Sequence, residues 1–269
     1  MPTTDGEKPL VSTTPYSQQN IDCKLGITTP KTKPTNFTTL KILSWNCRSL
    51  NSASKIQEAL KHKADINLIQ EVWNPTEELI TLLGKSVELN QRADNYGGTL
   101  LQYDEDKLPM SRHRLFVNED CQLSKHIIHG NKYINICSLY IPKSTKKAIN
   151  EVFNNIQKQV PESEFPYLLI MGDWNVDLQR NNDQKTIMLK ELCKQFGLKI
   201  SSNGATRRNS AIDFAVHGKE IQLKDMKSFE SSSDHKILTC EVYIECPKPS
   251  TKRFQVPNRK VAELITISH

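Results

Sequence analysis

Several building plans are excluded by what this 269-residue chain lacks. Its seven cysteines form no C-x-x-C pair and stand at no spacing from histidine that suits zinc, so neither a dithiol redox motif nor a zinc-held fold is encoded. Their odd number, with Cys137 and Cys193 set inside apolar runs, reads instead as small buried hydrophobes in a reducing compartment. No apolar run is long enough to cross a membrane, and the first thirty residues hold nothing fit for a signal peptide. The chain is therefore expected to be soluble and intracellular, with no membrane partner. It contains no internal repeat.

Apolar residues are also modest in number, at 37%, and the dilution lies at the two ends. Residues 1–36 are rich in Thr, Pro, Lys, Ser and Gln without any helical or alternating period, and are expected to be a disordered polar arm. Residues 246–269 begin as a Pro/Ser/Lys linker. Between them, 37–245 is a normal size for one α/β domain with a large core. Most of the net charge of +6 sits in the last stretch, where Lys248, Lys252, Arg253, Arg259 and Lys260 face only Glu263. The central domain is close to neutral. A broadly cationic body is thus excluded, and contact with a polyanion would rest on local patches, for which Arg112/Arg114, Lys143/Lys146/Lys147 and Arg207/Arg208 are the candidates.

The central stretch alternates strand-like and helix-like segments. Leu40–Trp45 reads as a strand, followed by Asn51-Ser52 as a helix cap with Ile56, Ala59 and Leu60 on one face. Asp65–Val72 reads as a second strand and Gly97-Gly98 opens a third through Tyr103. Leu115–Val117, Ser124–Ile128 and Tyr133–Tyr140 form an antiparallel series. Ala148, Val152, Ile156 and Val160 mark a helix stripe, Pro166–Met171 a buried strand, and Met188, Leu192 and Phe196 a helix stopped at Gly197. Final strands lie around Ala211–Val216 and Ile237–Ile244. Strands outnumber helices and helices punctuate pairs of strands, which predicts two facing sheets flanked by helices rather than a doubly wound parallel sheet.

Six short polar clusters stand at the ends of these apolar runs: Ser44-Trp45-Asn46, Gln70-Glu71, Leu139-Tyr140, Gly172-Asp173-Trp174-Asn175, Ile212-Asp213-Phe214 and Ser233-Asp234-His235. Taken singly, each is an ordinary turn, strand end or cap. Together they supply what phosphodiester hydrolysis needs: a cation on the anionic oxygens, a positioned water and help for the leaving alkoxide. Hard divalent cations need few carboxylates, and Glu71, with Asn46 orienting it or an intervening water, is the candidate metal site. Asp173 can accept the proton of an attacking water while Asn175 fixes that carboxylate or a phosphate oxygen. His235 backed by Asp213 would be held protonated and in one orientation. Tyr140 offers a phenol to a phosphate oxygen, and Arg48, Arg207 and Arg208 are candidate contacts to the phosphates of a polyanion, which the resemblance below makes DNA.

In this order the motifs resemble the endonuclease/exonuclease/phosphatase superfamily over about residues 40–245, and within it the apurinic-like endonuclease domains of non-LTR retrotransposons. Ser44-Trp45-Asn46-Cys47-Arg48-Ser49-Leu50 is similar to the first Asn motif in its retroelement wording, Gly172-Asp173-Trp174-Asn175 to Gly-Asp-Phe-Asn, and Thr206 to the Thr before the late Asp. The resemblance implies a four-layer α/β sandwich and Mg²⁺ or Mn²⁺ as cofactor. It implies Asn46, Glu71 and Asp234 at the metal, and Thr206 on the DNA side. The implied activity is nicking of double-stranded DNA in the nucleus to leave a 3′-hydroxyl for target-primed reverse transcription. The last residues resemble the segment that leads to a reverse transcriptase, so fusion to one, or action beside one, is expected. Arg48 stands where repair enzymes of the superfamily carry an acidic residue and glycine, which weighs against the alternative of an abasic-site repair endonuclease; a non-catalytic binding member is the remoter alternative.

Overall fold

Alternation along the strands sorts the apolar residues into three cores. In Asn36–Asn46 (β1), Leu40 and Ile42 turn to one side and Leu43 and Trp45 to the other, because successive side chains leave a strand on opposite faces. The same division recurs in Ile66–Gln70 (β2), Thr99–Tyr103 (β4), Lys132–Tyr140 (β7) and Leu168–Asp173 (β8). Strands covered on both faces are the ones that read as unbroken apolar runs.

The computed structural model describes residues 36–84, 86–109, 115–118, 121–129 and 132–246, all within one unit. The expected polar arm, the basic linker beyond residue 246 and the Arg112/Arg114 pair lie outside the described residues. The remaining strands are Val87–Asn90 (β3), Leu115–Asn118 (β5), Cys121–His129 (β6), Lys199–Ser201 (β9), Asp213–His217 (β10), Ile221–Phe229 (β11) and Ile237–Cys246 (β12). One sheet runs β11-β12-β1-β2-β4-β3 and the other β5-β6-β7-β8-β10-β9. Among the described strands β1–β2 and β7–β8 pair in parallel, and every other pairing is antiparallel.

The two sheets face each other across a core that includes Ile42, Leu68, Ile136, Met171 and Val242. The outer face of the second sheet is covered by Lys146–Gln159 (α3) and Gln184–Gln195 (α4). That of the first is covered by Ala53–Leu60 (α1), with the short Glu77–Thr81 helix (α2) nearby. The result is the expected four-layer α/β sandwich, helix on sheet on sheet on helix. The six described cysteines are free and buried, as expected, and no described helix is long and apolar enough to cross a membrane.

Two helix stripes sit slightly round from their expected positions. The fully buried face of α3 is Ile149, Val152, Phe153 and Ile156, since a 3.6-residue turn brings i+3 and i+4 neighbours together. In α4 the buried face is Thr186, Leu189 and Cys193, while Met188 and Leu192 are half-buried. Pro166 lies not in β8 but in a 3-10 turn over Glu162–Tyr167 that leads into it. At Gly172, φ is +154° and a Cβ would stand 2.0 Å from the Leu139 carbonyl oxygen. Only glycine lets β7 and β8 approach so closely where Tyr140 and Asp173 come into register.

Candidate active site

Parallel strands end together, and this brings the polar clusters to one edge of the sandwich. Asn46 at the end of β1 pairs with Gln70 at the end of β2. Tyr140 at the end of β7 pairs with Asp173 at the end of β8, and Asp173 pairs in turn with Asp213 at the start of β10. His235 enters from the loop before β12. Polar bridges hold the two sheets in register there, with Gln70 Nε2 donating to Ser138 Oγ at 3.1 Å and Thr99 Oγ1 to Gln122 Oε1 at 3.3 Å.

The side chains form one hydrogen-bonded set. The Asn46 amide donates to Glu71 Oε1 at 2.7 Å and to Asp173 Oδ2 at 2.9 Å, joining the first sheet to the second. Asn175 donates from its backbone to Asp173 Oδ1 at 2.9 Å, and from its amide to Asp173 Oδ2 at 3.2 Å and the Ile141 carbonyl at 2.9 Å. The Asn175 backbone and amide thus hold the Asp173 carboxylate in one orientation. His235 Nδ1 lies 3.0 Å from Asp213 Oδ2, and its Nε2 lies 3.8 Å from Asp173 Oδ2, too far for a direct hydrogen bond. Trp73 Nε1 donates to the other Glu71 oxygen at 3.1 Å. Glu71 and Asn175 have left-handed backbones, with φ of 52° and 47°, a conformation non-glycine residues adopt at a cost of about 1–2 kcal/mol each.

Burial sets the electrostatics. Asn46, Asp173, Asp213 and His235 are buried, whereas Glu71, Asn175, Tyr140 and Asp234 reach the surface. Burial, and then the Asp213 carboxylate, push Asp173 up to about 7 against the pull of His235. Burial also opposes charge on His235, but the bond and charge of Asp213 outweigh it and hold the imidazole above its ordinary value. At the rim, burial of Asp234 is outweighed by Arg207, which keeps that carboxyl below its usual range. Asp234 Oδ2 lies 2.7 Å from one Arg207 terminal nitrogen and 3.1 Å from Arg48, while its Oδ1 is buried without a partner among the described residues.

Thr206 does not meet its expectation as a DNA contact. It is fully buried, and its Oγ1 accepts from the backbone N–H groups of Ile212 at 3.3 Å and Asp213 at 3.0 Å. It shapes the approach to Asp213 and leaves the surface to its neighbours. Arg208 is exposed and lines a cleft of about 410 Å³ with Asn175, Arg180, Lys185 and Arg207, in which Asp177 and Asp183 are the acidic members. Tyr140 lines a second cleft of about 440 Å³ with Arg92 and Lys143.

A family described as Endonuclease-reverse transcriptase matches residues 134–239, the stretch from β7 to the start of β12. No curated protein matches the chain by sequence. Among solved structures, the endonuclease domain of TRAS1, a telomere-specific non-LTR retrotransposon, is 18% identical with a TM-score of 0.61, covering 77% of this chain and 98% of that one. An endonuclease/exonuclease/phosphatase family protein from Bacteroides thetaiotaomicron is 16% identical at a TM-score of 0.57, covering 78% and 100%. The chain carries the endonuclease/exonuclease/phosphatase fold. An AP endonuclease from Archaeoglobus fulgidus shares that fold at 15% identity and a TM-score of 0.56, covering 75% and 98%.

Within this fold the donor set suits a hard divalent cation. Among the described residues Glu71 accepts one neutral donor at each oxygen, one of them the Asn46 NH₂ that orients it, and Asp234 Oδ1 is a buried acceptor without a partner. Asp173, Asp213 and His235 also offer ligand atoms within 4.8 Å of one another, so this buried acidic and histidine cluster could hold a metal as well. Four contributors were not foreseen from the sequence. Trp73 follows Glu71 by two residues, Ser233 Oγ donates to the Asn46 carbonyl at 2.8 Å, and Arg180 and Lys185 line the basic cleft. Trp73 and Ser233 stood inside or beside the motifs and gave a signal; the two cations sit in an unpatterned loop and helix start, and gave none.

Proposed function

We propose that this chain is a divalent-metal-dependent DNA endonuclease. It nicks one strand of a duplex target by phosphodiester hydrolysis and leaves a 3′-hydroxyl from which a reverse transcriptase, fused or separate, extends. The observation that carries this reading is the single hydrogen-bonded set Asn46–Glu71–Asp173–Asn175, closed by Asp213–His235 and flanked by a cationic cleft. The retrotransposon assignment is supported by the match to the Endonuclease-reverse transcriptase family and by the likeness to the TRAS1 domain, and action in the nucleus is proposed with it.

Glu71 and Asp234 would hold the metal, Mg²⁺ or Mn²⁺, with the Asn46 amide orienting Glu71 or a water between them. When bound, such a cation would supply positive charge to the phosphate oxygens as negative charge builds on them. Asp173, fixed by both asparagines and raised toward neutrality, takes the proton from the attacking water as the water oxygen bonds to phosphorus. The bond from phosphorus to the 3′-oxygen breaks, and that oxygen takes a proton from water to leave as the 3′-hydroxyl. A phosphate oxygen at the 3.8 Å gap between His235 Nε2 and Asp173 would receive the imidazolium proton in a hydrogen bond, with Asp213 keeping that ring charged and oriented. Tyr140, in register with Asp173, presents its phenol to another phosphate oxygen. Arg48, Arg207 and Arg208, joined by Arg180 and Lys185, bind the strand on either side through its phosphates.

The test is cleavage of an intact duplex and of the same duplex carrying one abasic site, each followed by extension with a polymerase. Nicking of the intact duplex with extendable ends supports the proposal. Cleavage confined to the abasic duplex would replace it with the repair reading, which the AP endonuclease likeness favours.

A further inference from the structure

After β1 the chain makes a loop whose N–H groups from Cys47 to Leu50 bond Asn46 and residues 70–72 at the end of β2, and whose carbonyls from Cys47 to Ser49 bond one lysine. Arg48 and Ser49 are both left-handed, with φ of 43° and 83°. Their conformation turns the carbonyls of three successive residues inward to a single point, and Lys55 Nζ occupies it, 2.6 Å from the Cys47 oxygen, 3.1 Å from Arg48 and 2.7 Å from Ser49. An ammonium carries three N–H donors and no acceptor, so donors and carbonyls match one to one. Without a cation, three converging carbonyl dipoles repel one another, which is why rings of carbonyls elsewhere serve as cation seats.

The other side of the same loop grips the candidate metal residues. Arg48 N–H donates to Asn46 Oδ1 at 3.2 Å, which turns the Asn46 NH₂ toward Glu71 and Asp173. Cys47 N–H donates to the Gln70 carbonyl at 3.0 Å, Ser49 N–H to Glu71 at 2.7 Å and Leu50 N–H to Val72 at 3.0 Å, so the left-handed Glu71 is held by its backbone. We infer that Lys55 is a positioning residue: its ammonium is the resident cation of a three-carbonyl nest, and through that nest it sets the orientation of Asn46, and by way of Asn46 and the Glu71 backbone that of the Glu71 carboxylate, for metal binding. The first half stands on geometry alone, and the second rests on the metal-dependent reading above.

Lys55→Ala in the full chain tests both halves. Hydrogen exchange at the Ser49 and Leu50 amides reads the loop, and Mn²⁺ affinity followed by the ion's paramagnetic resonance reads the site. In tetramethylammonium chloride the variant should exchange these amides at least about tenfold faster than wild type and bind Mn²⁺ about tenfold more weakly, in the range typical for residues behind a metal ligand. Ammonium chloride at equal ionic strength, small enough to refill the nest, should restore both; the wild type should respond to neither salt. Lys55→Met, which keeps the stem and drops the charge, should show the same losses without the rescue. Exchange that is unchanged, or rescued equally by tetramethylammonium, would overturn the nest. Mn²⁺ affinity that is unaltered in the variant while wild type binds would overturn the positioning role. If wild type takes up no Mn²⁺ at all, the metal reading fails, and the exchange data still decide the nest.

Discussion

The Asp173 carboxylate accepts from the Asn175 backbone at Oδ1 and from the Asn46 and Asn175 amides at Oδ2, so its orientation is fixed before any substrate arrives. Asp173→Asn keeps the shape and removes the proton acceptor. Cleavage should fall by a factor of at least about 10² to 10³, with DNA affinity far less affected. Single-turnover rates beside binding isotherms check this, and activity within threefold of wild type would refute the role. His126 gives a separate prediction about stability. It is buried between the sheets with its Nε2 2.9 Å from Ser124 Oγ, and burial pushes it from 6.5 down to about 4. The unfolded chain therefore takes up a proton that the folded chain refuses as pH falls from 6.5 toward 4. Stability is full above 6.5 and drops across that window by up to about 3 kcal/mol. Urea midpoints for wild type and His126→Gln between pH 7 and 4.5 should diverge, with wild type losing more; parallel curves would contradict the assignment.

Helix α1 holds two loops at once. Lys55 serves the loop after β1, and one turn later Glu58 accepts from the Ser232 backbone N–H at 3.1 Å and from its hydroxyl at 2.5 Å, anchoring the loop that carries Asp234 and His235. Glu58→Ala should lower kcat by about tenfold with KM for DNA nearly unchanged, consistent with loss of charged hydrogen bonds worth about 1.5–3 kcal/mol. An effect on KM alone would place Glu58 on the binding surface instead. At this scale the long elements were legible, since β1, β2, β7, β8 and α3 announce themselves by period and length. The elements that went unseen have physical excuses. Helix α2 buries none of its five residues and β3 has only four, so neither develops a period. Strand β11 is an edge strand with Lys224, Asp225 and Lys227 in its middle and a register shift there, and it reads as a charged loop. Residues such as Lys55 and Glu58 were illegible for a different reason: one lysine and one glutamate on a helix face look like solvated surface until the carbonyls and amides they hold are placed.

For the whole molecule, charge is local rather than global. The neutral body carries one cleft where Arg180, Lys185, Arg207 and Arg208 outnumber Asp177 and Asp183, and it opens beside Asn175. Arg48 and Arg207 are partly spent on Asp234, whereas Arg208 makes no ion pair among the described residues. Arg208→Ala should therefore reduce the slope of log affinity against log salt by about 1 without a change in Tm. An unchanged slope would place Arg208 off the DNA path. The convergence of the candidate site was legible because Asn46, Glu71, Asp173, Asn175, Asp213 and His235 stand at or just past strand ends, and the fold brings those ends together. Thr206 was not, because a hydroxyl can face a phosphate or a backbone amide equally well, and only burial tells which. The central claim is that this converged set cleaves phosphodiesters with a metal. It is tested most directly by converting supercoiled plasmid to nicked circle in Mg²⁺, with a chelator control and Asp173→Ala alongside. Nicked circle that forms only with both the metal and Asp173 is the predicted result; nicking that persists in chelator, or in the variant at the wild-type rate, would contradict it.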